Sequence, residues 1–256
     1  MADQTKIEWT DSTFNPWIGC TKISAGCDHC YAERQDQRFN KGIHWGAKST
    51  PKCLSDNYWK RPLHWNSQAA DFFQKHGRSQ LVFCGSMCYV FDNNAPKAQR
   101  ERLWELIRST PQLNWQLLTK RPENAERFLP TDWGEGYPNV WLGVSVENQD
   151  VLHRVDKLQR IPAVIRFLSV EPLIEHIQFF DMTNIDWVIV GGETGSGARS
   201  MCSNWAQTIQ FCAWAHSAAF FFKQWGDKPK IRCNKIRLEK QAWPTKYLTG
   251  DLSCCA

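Results

Sequence analysis

The sequence predicts an α/β fold, namely a parallel βα barrel that is either complete or partial. Short apolar runs typical of strands alternate along the chain with segments that have the hydrophobic spacing of helices. Strands joined by helices form parallel sheets with right-handed crossovers. The chain has 256 residues, a length that one such barrel often fills. About seven strands favour a barrel over an open sheet, although the sequence leaves closure of the barrel undecided.

The predicted strands are short apolar runs, and the predicted helices bury one face. Leu103, Leu106 and Ile107 share a face of the first of these helices, and Val151, Val155 and Leu158 recur at helical spacing in the third. The predicted strands are residues 6–10, 81–83, 115–119, 140–144, 165–169, 187–190 and 220–223. The predicted helices are residues 97–109, 122–129, 149–160 and 204–216.

Polar or small residues follow six of the predicted strands. In βα barrels the carboxyl ends of the strands build the active site. We therefore expect a site formed by these strand ends, several of which carry a carboxylate or a lysine. The residues concerned are Cys84, Gly85, Ser86, Lys120, Ser145, Glu147, Asn148, Glu171, Gly191, Gly192, Glu193 and Lys223.

Composition excludes several classes of protein. Hydrophobic residues make up 42% and charged residues 22%, so the chain can bury a core and is not globally disordered. No apolar run approaches the length of a membrane helix, and the first residues do not resemble a signal peptide. We therefore expect a cytoplasmic protein without membrane contact. In that compartment 11 cysteines indicate metal or redox chemistry, and we expect most of the 14 tryptophans in the core.

Positive charge is concentrated at the carboxyl terminus. Residues 227–256 hold seven basic and three acidic side chains, a net charge of +4, whereas the rest of the chain carries +1. This pattern predicts a barrel over residues 1–226 and a basic extension over residues 227–256. The extension is either a solvated terminus or a contact for a polyanion such as nucleic acid.

Three cysteines lie close together in the spacing C-x6-C-x2-C. They are Cys20, Cys27 and Cys30, and glycines beside the first two allow the loop to fold back. Clustered thiolates favour Zn²⁺ or an iron–sulfur cluster over three unliganded thiols. Structural zinc needs a fourth ligand, for which His29 and Cys53 are the candidates. A cubane held by three cysteines leaves one iron open to a cofactor or substrate.

The remaining cysteines give weaker signals. Cys84 and Cys88 are expected to be buried thiols, with a second site as the alternative. Cys233, Cys254 and Cys255 lie in the basic extension without regular spacing, which favours a disordered tail over an auxiliary cluster.

The cysteine loop and several other segments of the chain resemble those of known proteins. A three-cysteine loop between a first strand and a first helix is similar to that of the radical S-adenosylmethionine (SAM) superfamily, although the first gap exceeds the common C-x3-C-x2-C spacing. The chain also resembles a phage- and prophage-associated three-cysteine-motif family of largely unassigned function. The matching segments lie within residues 5–11, 14–22, 26–33, 118–122, 190–195 and 221–226.

The resemblance implies an enzyme with a [4Fe–4S] cluster bound by Cys20, Cys27 and Cys30. SAM would chelate the fourth iron, one electron would cleave its sulfonium, and a 5′-deoxyadenosyl radical would take a hydrogen atom from the substrate. It also implies an electron donor of flavodoxin or ferredoxin type. If the chain is encoded by a phage, its location is the host cytoplasm.

The resemblance also assigns roles to residues at the strand ends. His29 takes the position near the adenine, and the backbone of Cys84, Gly85 and Ser86 takes the SAM amino group. Ser145, Glu147 and Asn148 are expected at the ribose, and Glu171 and Arg199 at the polar groups of SAM or at the substrate. Glu193 lines the substrate side or braces the adenine. Lys120 and Lys223 are cations at the barrel mouth, with a surface salt bridge as the alternative.

Three functions follow from these patterns. The first is a radical SAM enzyme acting on DNA or a modified nucleoside, for example an isomerase that rearranges a modified thymine side chain in phage DNA. The second is a zinc-stabilised nucleic-acid-binding module. The third is an iron–sulfur partner protein for electron transfer or redox sensing. The sequence does not indicate the oligomeric state.

Overall fold

The structure is a computed structural model that describes residues 5–230 and 242–244. Its strands are β1 (Ser12–Phe14), β2 (Trp17–Ile18), β3 (Lys52–Cys53), β4 (Gln80–Cys84), β5 (Leu113–Thr119), β6 (Val140–Ser145), β7 (Ile165–Val170), β8 (Trp187–Gly191), β9 (Met201–Cys202), β10 (Ala219–Gln224) and β11 (Pro229–Lys230).

The helices are α1 (Tyr31–Asn40), α2 (Asp56–Trp59), α3 (Arg61–Ser67), α4 (Ala69–His76), α5 (Lys97–Ser109), α6 (Ala125–Phe128), α7 (His153–Gln159) and α8 (Ser203–Ala215). Short 3-10 helices lie at Ala25–Cys27, Pro122–Asn124 and Gln149–Val151. None of the helices in the described part of the chain is long and apolar enough to cross a bilayer.

Seven strands form one parallel sheet in the order β1-β4-β5-β6-β7-β8-β10. Each strand of this sheet pairs with the strand that follows it in the chain, apart from the short strands outside the sheet. Crossovers of a single hand produce this order. Among the described strands β1 and β10 are the edges, so the sheet is a partial rather than a closed barrel. The predicted α/β fold with about seven parallel strands is therefore confirmed.

Alternating side chains of the strands enter two cores, as the two-residue period of a strand dictates. On β8, Val188 and Val190 belong to the core under the helices, whereas Trp187 and Ile189 belong to a second core on the other face. The second core is rich in aromatic rings and includes Trp9, Trp141 and Phe221. Most described tryptophans are buried in these cores, as predicted.

The predicted first strand at residues 6–10 is wrong, because the chain turns there and the strand is β1. The Thr5 amide donates to the Asp11 carbonyl, which folds the segment back on itself. Trp9 projects into the aromatic core, and the Asp11 carboxylate accepts from the Leu81 amide at 2.8 Å and from Arg78 at 2.6 Å. The apolar residues of this segment thus fill the barrel without pairing as a strand.

Candidate functional site

A cavity of about 450 Å³ lies at the carboxyl ends of the parallel strands. The cysteine loop, defined here as residues 19–30, forms one wall and the strand ends form the others. The cavity walls include Cys20, Cys27, His29, Cys30, Gly85, Ser86, Lys120, Ser145, Ser169, Glu171, Gly192, Glu193 and Lys223. The structure therefore brings the cysteine loop and the predicted strand ends to one place.

Backbone geometry fixes both ends of the cysteine loop. Gly19 has φ +138°, and a Cβ there would lie 2.6 Å from the His44 carbonyl, so only glycine suits this approach. The Cys20 carbonyl accepts from the Gly46 amide at 2.9 Å. At the other end Cys27 closes a 3-10 helix and Cys30 directly precedes α1. These constraints bring the three thiols to the same cavity.

The three thiols lie close enough to influence one another. Burial raises the pKa of Cys20, and the negative charges of Asp92, Cys27 and Cys30 raise it further. Burial also raises the pKa of Cys30. Burial acts in the same sense on Cys27, but the Lys120 charge and backbone hydrogen bonds outweigh it and lower the pKa of that thiol. All cysteines in the described part of the chain are free.

Three thiols on one loop are a donor set that suits an iron–sulfur cluster. Within residues 5–230 and 242–244, no group of three or more His, Cys, Asp or Glu side chains converges as a single-ion site. His29 is hydrogen-bonded to Glu193 through Nδ1, as zinc-ligating histidines also are to a carboxylate, and Cys53 is exposed on β3. Each thiolate of a cluster binds a different iron, and thiolates are the ligands that such clusters use.

Glu147 lies beneath the cysteine loop and is fully buried. It pairs with Lys120 through Oε1 and with Arg154 through Oε2, the latter at 2.9 Å. Ser24 of the loop donates to the same Oε1 at 3.2 Å. A Cβ on Gly26 would lie 2.3 Å from Glu147 Cγ, so the loop rests directly on this side chain. Glu147 therefore supports the cysteine loop from below.

Glu193 and Arg199 hold the loop from the opposite side. Arg199 donates to both Glu193 oxygens, at 2.9 and 2.6 Å, and to the Ala25 carbonyl at 2.9 Å. His29 Nδ1 lies 3.1 Å from Glu193 Oε2. Burial raises the pKa of Glu193, but the hydrogen bonds from Arg199 and His29 outweigh it and lower this pKa to about 2. Arg34 of α1 adds a parallel link by donating to the Thr194 and Ser196 carbonyls.

A charged pair faces the cavity between β7 and β10. Lys223 donates to Glu171, and both side chains are partly buried. A Cβ on Gly191 would lie 3.1 Å from the Glu171 carboxyl carbon, so the glycine leaves room for this side chain. The pair places one positive and one negative group at the cavity wall, where polar groups of a ligand can bind.

The segment after β4 is shaped by Asn15 and Gly85. The Met87 amide donates to Asn15 Oδ1 at 2.7 Å, and Asn15 Nδ2 donates to Ser86 Oγ at 2.9 Å. Gly85 has φ +94°, which favours glycine. Tyr31 donates to the Ser86 carbonyl at 2.7 Å and so links this segment to α1.

The Cys84 side chain is buried in the core under the helices, as predicted for a buried thiol. Three predicted residues, Glu147, Asn148 and Arg199, are not among the residues that line the cavity. Glu147 and Arg199 instead brace the loop, and Asn148 donates to Asp150 at 3.4 Å. The surface salt bridge considered for Lys120 is wrong, because its side chain is 6% exposed. Cys88 is buried as predicted.

Some residues of the site were not predicted. Ser24 connects the loop to Glu147, and Arg154 pairs with the same carboxylate. Arg34 links α1 to the segment after β8, and Tyr89 lines the cavity with its hydroxyl hydrogen-bonded to Ser145. Arg154 lies between Val151 and Val155 on the inward face of its helix, a position that signals a buried cation. The other three carry no comparable signal. Cys233, Cys254 and Cys255 lie outside the described residues.

Comparison with known proteins gives few matches. No curated protein matches the chain. A structure of a spore photoproduct lyase variant with bound AdoMet and dinucleoside spore photoproduct has a TM-score of 0.47 at 11% identity, covering 75% of this chain and 58% of that one. A second variant of the same lyase gives 0.46 at 11% identity, covering 76% and 58%. The chain thus spans less than two thirds of the length of these structures.

A family model matches nearly the whole chain. The match runs over residues 4–247, and the family is described as "Protein of unknown function (DUF5131)". It includes the cysteine loop, all seven strands of the main sheet and the first part of the basic extension. The chain belongs to the DUF5131 family.

Proposed function

We propose that the protein is a radical SAM enzyme in which Cys20, Cys27 and Cys30 hold a [4Fe–4S] cluster. One observation carries this proposal. Three thiols of a single loop face one cavity at the carboxyl ends of parallel strands, where βα proteins place their chemistry. When bound, the cluster would supply one electron and SAM would supply the group that takes a hydrogen atom from the substrate.

The cavity suits a cofactor of the size of SAM. Its volume of about 450 Å³ falls within the range of small-molecule sites, roughly 300–1,000 Å³. Its walls are mainly apolar and aromatic with a few convergent polar groups, which is the usual composition of such sites. These walls keep water from the reacting atoms when a ligand is bound.

Residues of this chain would orient the ligands by hydrogen bonds and charge. The segment Gly85–Ser86 offers backbone groups at the cavity wall, and Ser145 offers a hydroxyl. The pair Glu171–Lys223 binds oppositely charged groups, such as the amino and carboxylate groups of SAM or polar groups of the substrate. Glu193 holds His29 at the rim of the cavity.

The test is reductive cleavage of SAM by the full chain after anaerobic reconstitution with iron and sulfide. The expected result is 5′-deoxyadenosine formed in the presence of a strong reductant such as dithionite. The Cys27→Ala variant should form none, whereas Cys53→Ala should match the wild type. Failure of a reconstituted, cluster-containing protein to cleave SAM would contradict the proposal.

For the substrate, we propose DNA or a modified nucleoside, with rearrangement of a modified thymine side chain in phage DNA as the specific reaction. The net +4 charge of residues 227–256 supports a polyanionic substrate. A base within a duplex would have to leave the stack to reach the cavity. The electron donor would be a flavodoxin or ferredoxin in the cytoplasm.

A further inference from the structure

Lys120 directly follows β5 (Leu113–Thr119) and lies inside the protein beside the cysteine loop. Its side chain is 6% exposed and lines the cavity that contains the three thiols. Burying a lysine is costly unless a partner stabilises its charge. The structure supplies that partner, the carboxylate of Glu147.

A chain of contacts runs from Lys120 to Cys27. Lys120 Nζ pairs with Glu147 Oε1, and Ser24 Oγ donates to the same oxygen at 3.2 Å. Ser24 Oγ also lies 3.8 Å from Cys27 Sγ. The charge of Lys120 acts on the Cys27 thiol more strongly than any other side-chain charge.

The buried charges behind Cys27 do not cancel. Glu147 is paired with two cations, Lys120 and Arg154. Burial lowers the pKa of Lys120 to about 8, so below that pH this buried group carries a net charge of +1. Asp92 is the carboxylate that acts on Cys20, and it forms an ion pair with Arg121 at 3.9 Å. Lys22 and Glu33 pair at 2.7 Å, and the lysine side chain is 45% exposed although it also borders the cavity.

A positive charge in a buried site favours the more negative form of its neighbour. Reducing an iron–sulfur cluster adds one negative charge, and Coulomb interactions are several times stronger inside a protein than in water. Charge near the cluster is one of the factors that set its reduction potential. We propose that Lys120, held by Glu147, raises the reduction potential of the cluster at Cys27 and so eases entry of the electron. This inference rests on the proposed cluster site.

The test is a redox titration of the reconstituted full-length protein with dithionite, followed by electron paramagnetic resonance. Lys120→Gln keeps a polar side chain for Glu147 but removes the charge. We expect its midpoint potential to fall by about 59 mV or more, which corresponds to a tenfold change in the equilibrium constant for one-electron reduction. Lys120→Met should shift the potential in the same direction, whereas Lys120→Arg should stay near the wild type.

Lys22→Gln is the matched control, because it removes one positive charge from the cysteine loop itself at a solvent-exposed position. Water and salt screen such a charge, so the midpoint potential of the cluster in this variant should change little. An unchanged potential in cluster-containing Lys120→Gln and Lys120→Met would overturn the inference and leave the cluster site intact. Folded neutral variants that assemble no cluster would also overturn it, since Lys120 would then serve assembly. A wild type without a cluster would instead refute the proposed function itself.

Discussion

Two charged residues beside the cysteine loop, Glu147 and Arg199, support the loop and do not line the cavity. Glu147 was predicted at the ribose and Arg199 at SAM or the substrate, yet neither lines the cavity and both are hydrogen-bonded with the loop. Ser145, Glu171 and Lys223 do line it.

Substituting the three cysteines tests the ligand set. We expect Cys20→Ala, Cys27→Ala and Cys30→Ala each to abolish cluster assembly, because a cluster with two thiolates lacks a defined site. Iron and sulfide content after anaerobic reconstitution measures this. Cys53→Ala is the control, since that thiol is exposed away from the cavity, and Cys254→Ala and Cys255→Ala should also keep the cluster. Full iron content in Cys27→Ala would refute the assignment.

Glu193→Gln tests the support from Arg199. Hydrogen bonds to a charged group contribute about 1.5–3 kcal/mol, so this variant should have a free energy of unfolding lower by about that amount at pH 7. The carboxylate has its pKa lowered to about 2 in the folded state, so its contribution is complete above about pH 4.5 and is lost as the pH falls towards 2.

Urea denaturation of wild type and Glu193→Gln across that pH range gives the measurement. The difference between the two proteins should be constant from pH 5 to 7 and shrink below pH 4.5. A difference that stays constant down to pH 2.5 would show that the ionised carboxylate is not the stabilising form.

Residue types in the sequence indicated which side chains carry chemistry, but not which way each one faces. Cys20, Cys27 and Cys30 were predictable because their spacing is unusual in a loop. Glu147 and Glu171 follow neighbouring strands in the same way, yet one is buried under the loop and the other faces the cavity. That difference depends on the loop that covers Glu147, and sequence spacing does not reveal it.

At the scale of elements, the cysteine loop is held between two supports. Glu147 supports it from the end of β6, and Arg199 ties it to the segment after β8, to which Arg34 also links α1. The loop therefore connects the first and the later strands of a sheet whose edge strands do not pair with each other among the described residues.

Gly26→Ala tests how closely the loop rests on Glu147. The new Cβ would lie 2.3 Å from Glu147 Cγ, so the loop or the carboxylate must move. Overpacking of this kind costs about 1–3 kcal/mol, and we expect that loss in the free energy of unfolding together with reduced iron content. Denaturant titration and iron analysis measure the two effects.

Ala25→Ser is the control for that substitution, because Ala25 is an exposed neighbour in the same 3-10 helix. Its effect should stay within about 0.5 kcal/mol of zero. Equal stability of Gly26→Ala and Ala25→Ser would show that the loop does not need this close approach.

The two longest helices, α5 and α8, were predictable, and most of the shorter ones were not. The helix predicted at residues 97–109 has those bounds in the structure, because a 13-residue amphipathic pattern is distinctive. The predicted helix at 149–160 begins as a 3-10 turn and becomes α7 only at His153. Helices α2, α3 and α4 were missed, since none exceeds eight residues.

For the whole molecule, two parts of the predicted extension at residues 227–256 contact the rest of the chain. β11 (Pro229–Lys230) pairs with β9, and Trp243 stacks on Trp187 with ring centroids 5.1 Å apart. Part of the extension thus packs on the aromatic core. Deleting residues 227–256 would remove this ring, so a test of the basic charge needs substitutions instead.

Neutralising the basic extension tests the polyanionic substrate. Replacing Arg232, Lys235, Arg237, Lys240 and Lys246 by Gln should weaken binding to duplex DNA while leaving the Trp243 ring in place. Each phosphate that the variant no longer neutralises should reduce the magnitude of the slope of log K against log salt by about 0.9. Fluorescence anisotropy at several salt concentrations measures this. Identical affinity and slope in both proteins would exclude the extension as a DNA-binding segment.

The central claim, an open iron in a three-cysteine cluster, is tested most directly by electron paramagnetic resonance of the anaerobically reconstituted, reduced protein, recorded with and without SAM. We predict a cubane signal that shifts when SAM is added, because three cysteines leave one iron open to the cofactor. A cubane signal indifferent to SAM would contradict the proposed enzyme and favour an electron-transfer or sensing role. Bound zinc in place of a cluster would contradict the cluster site itself.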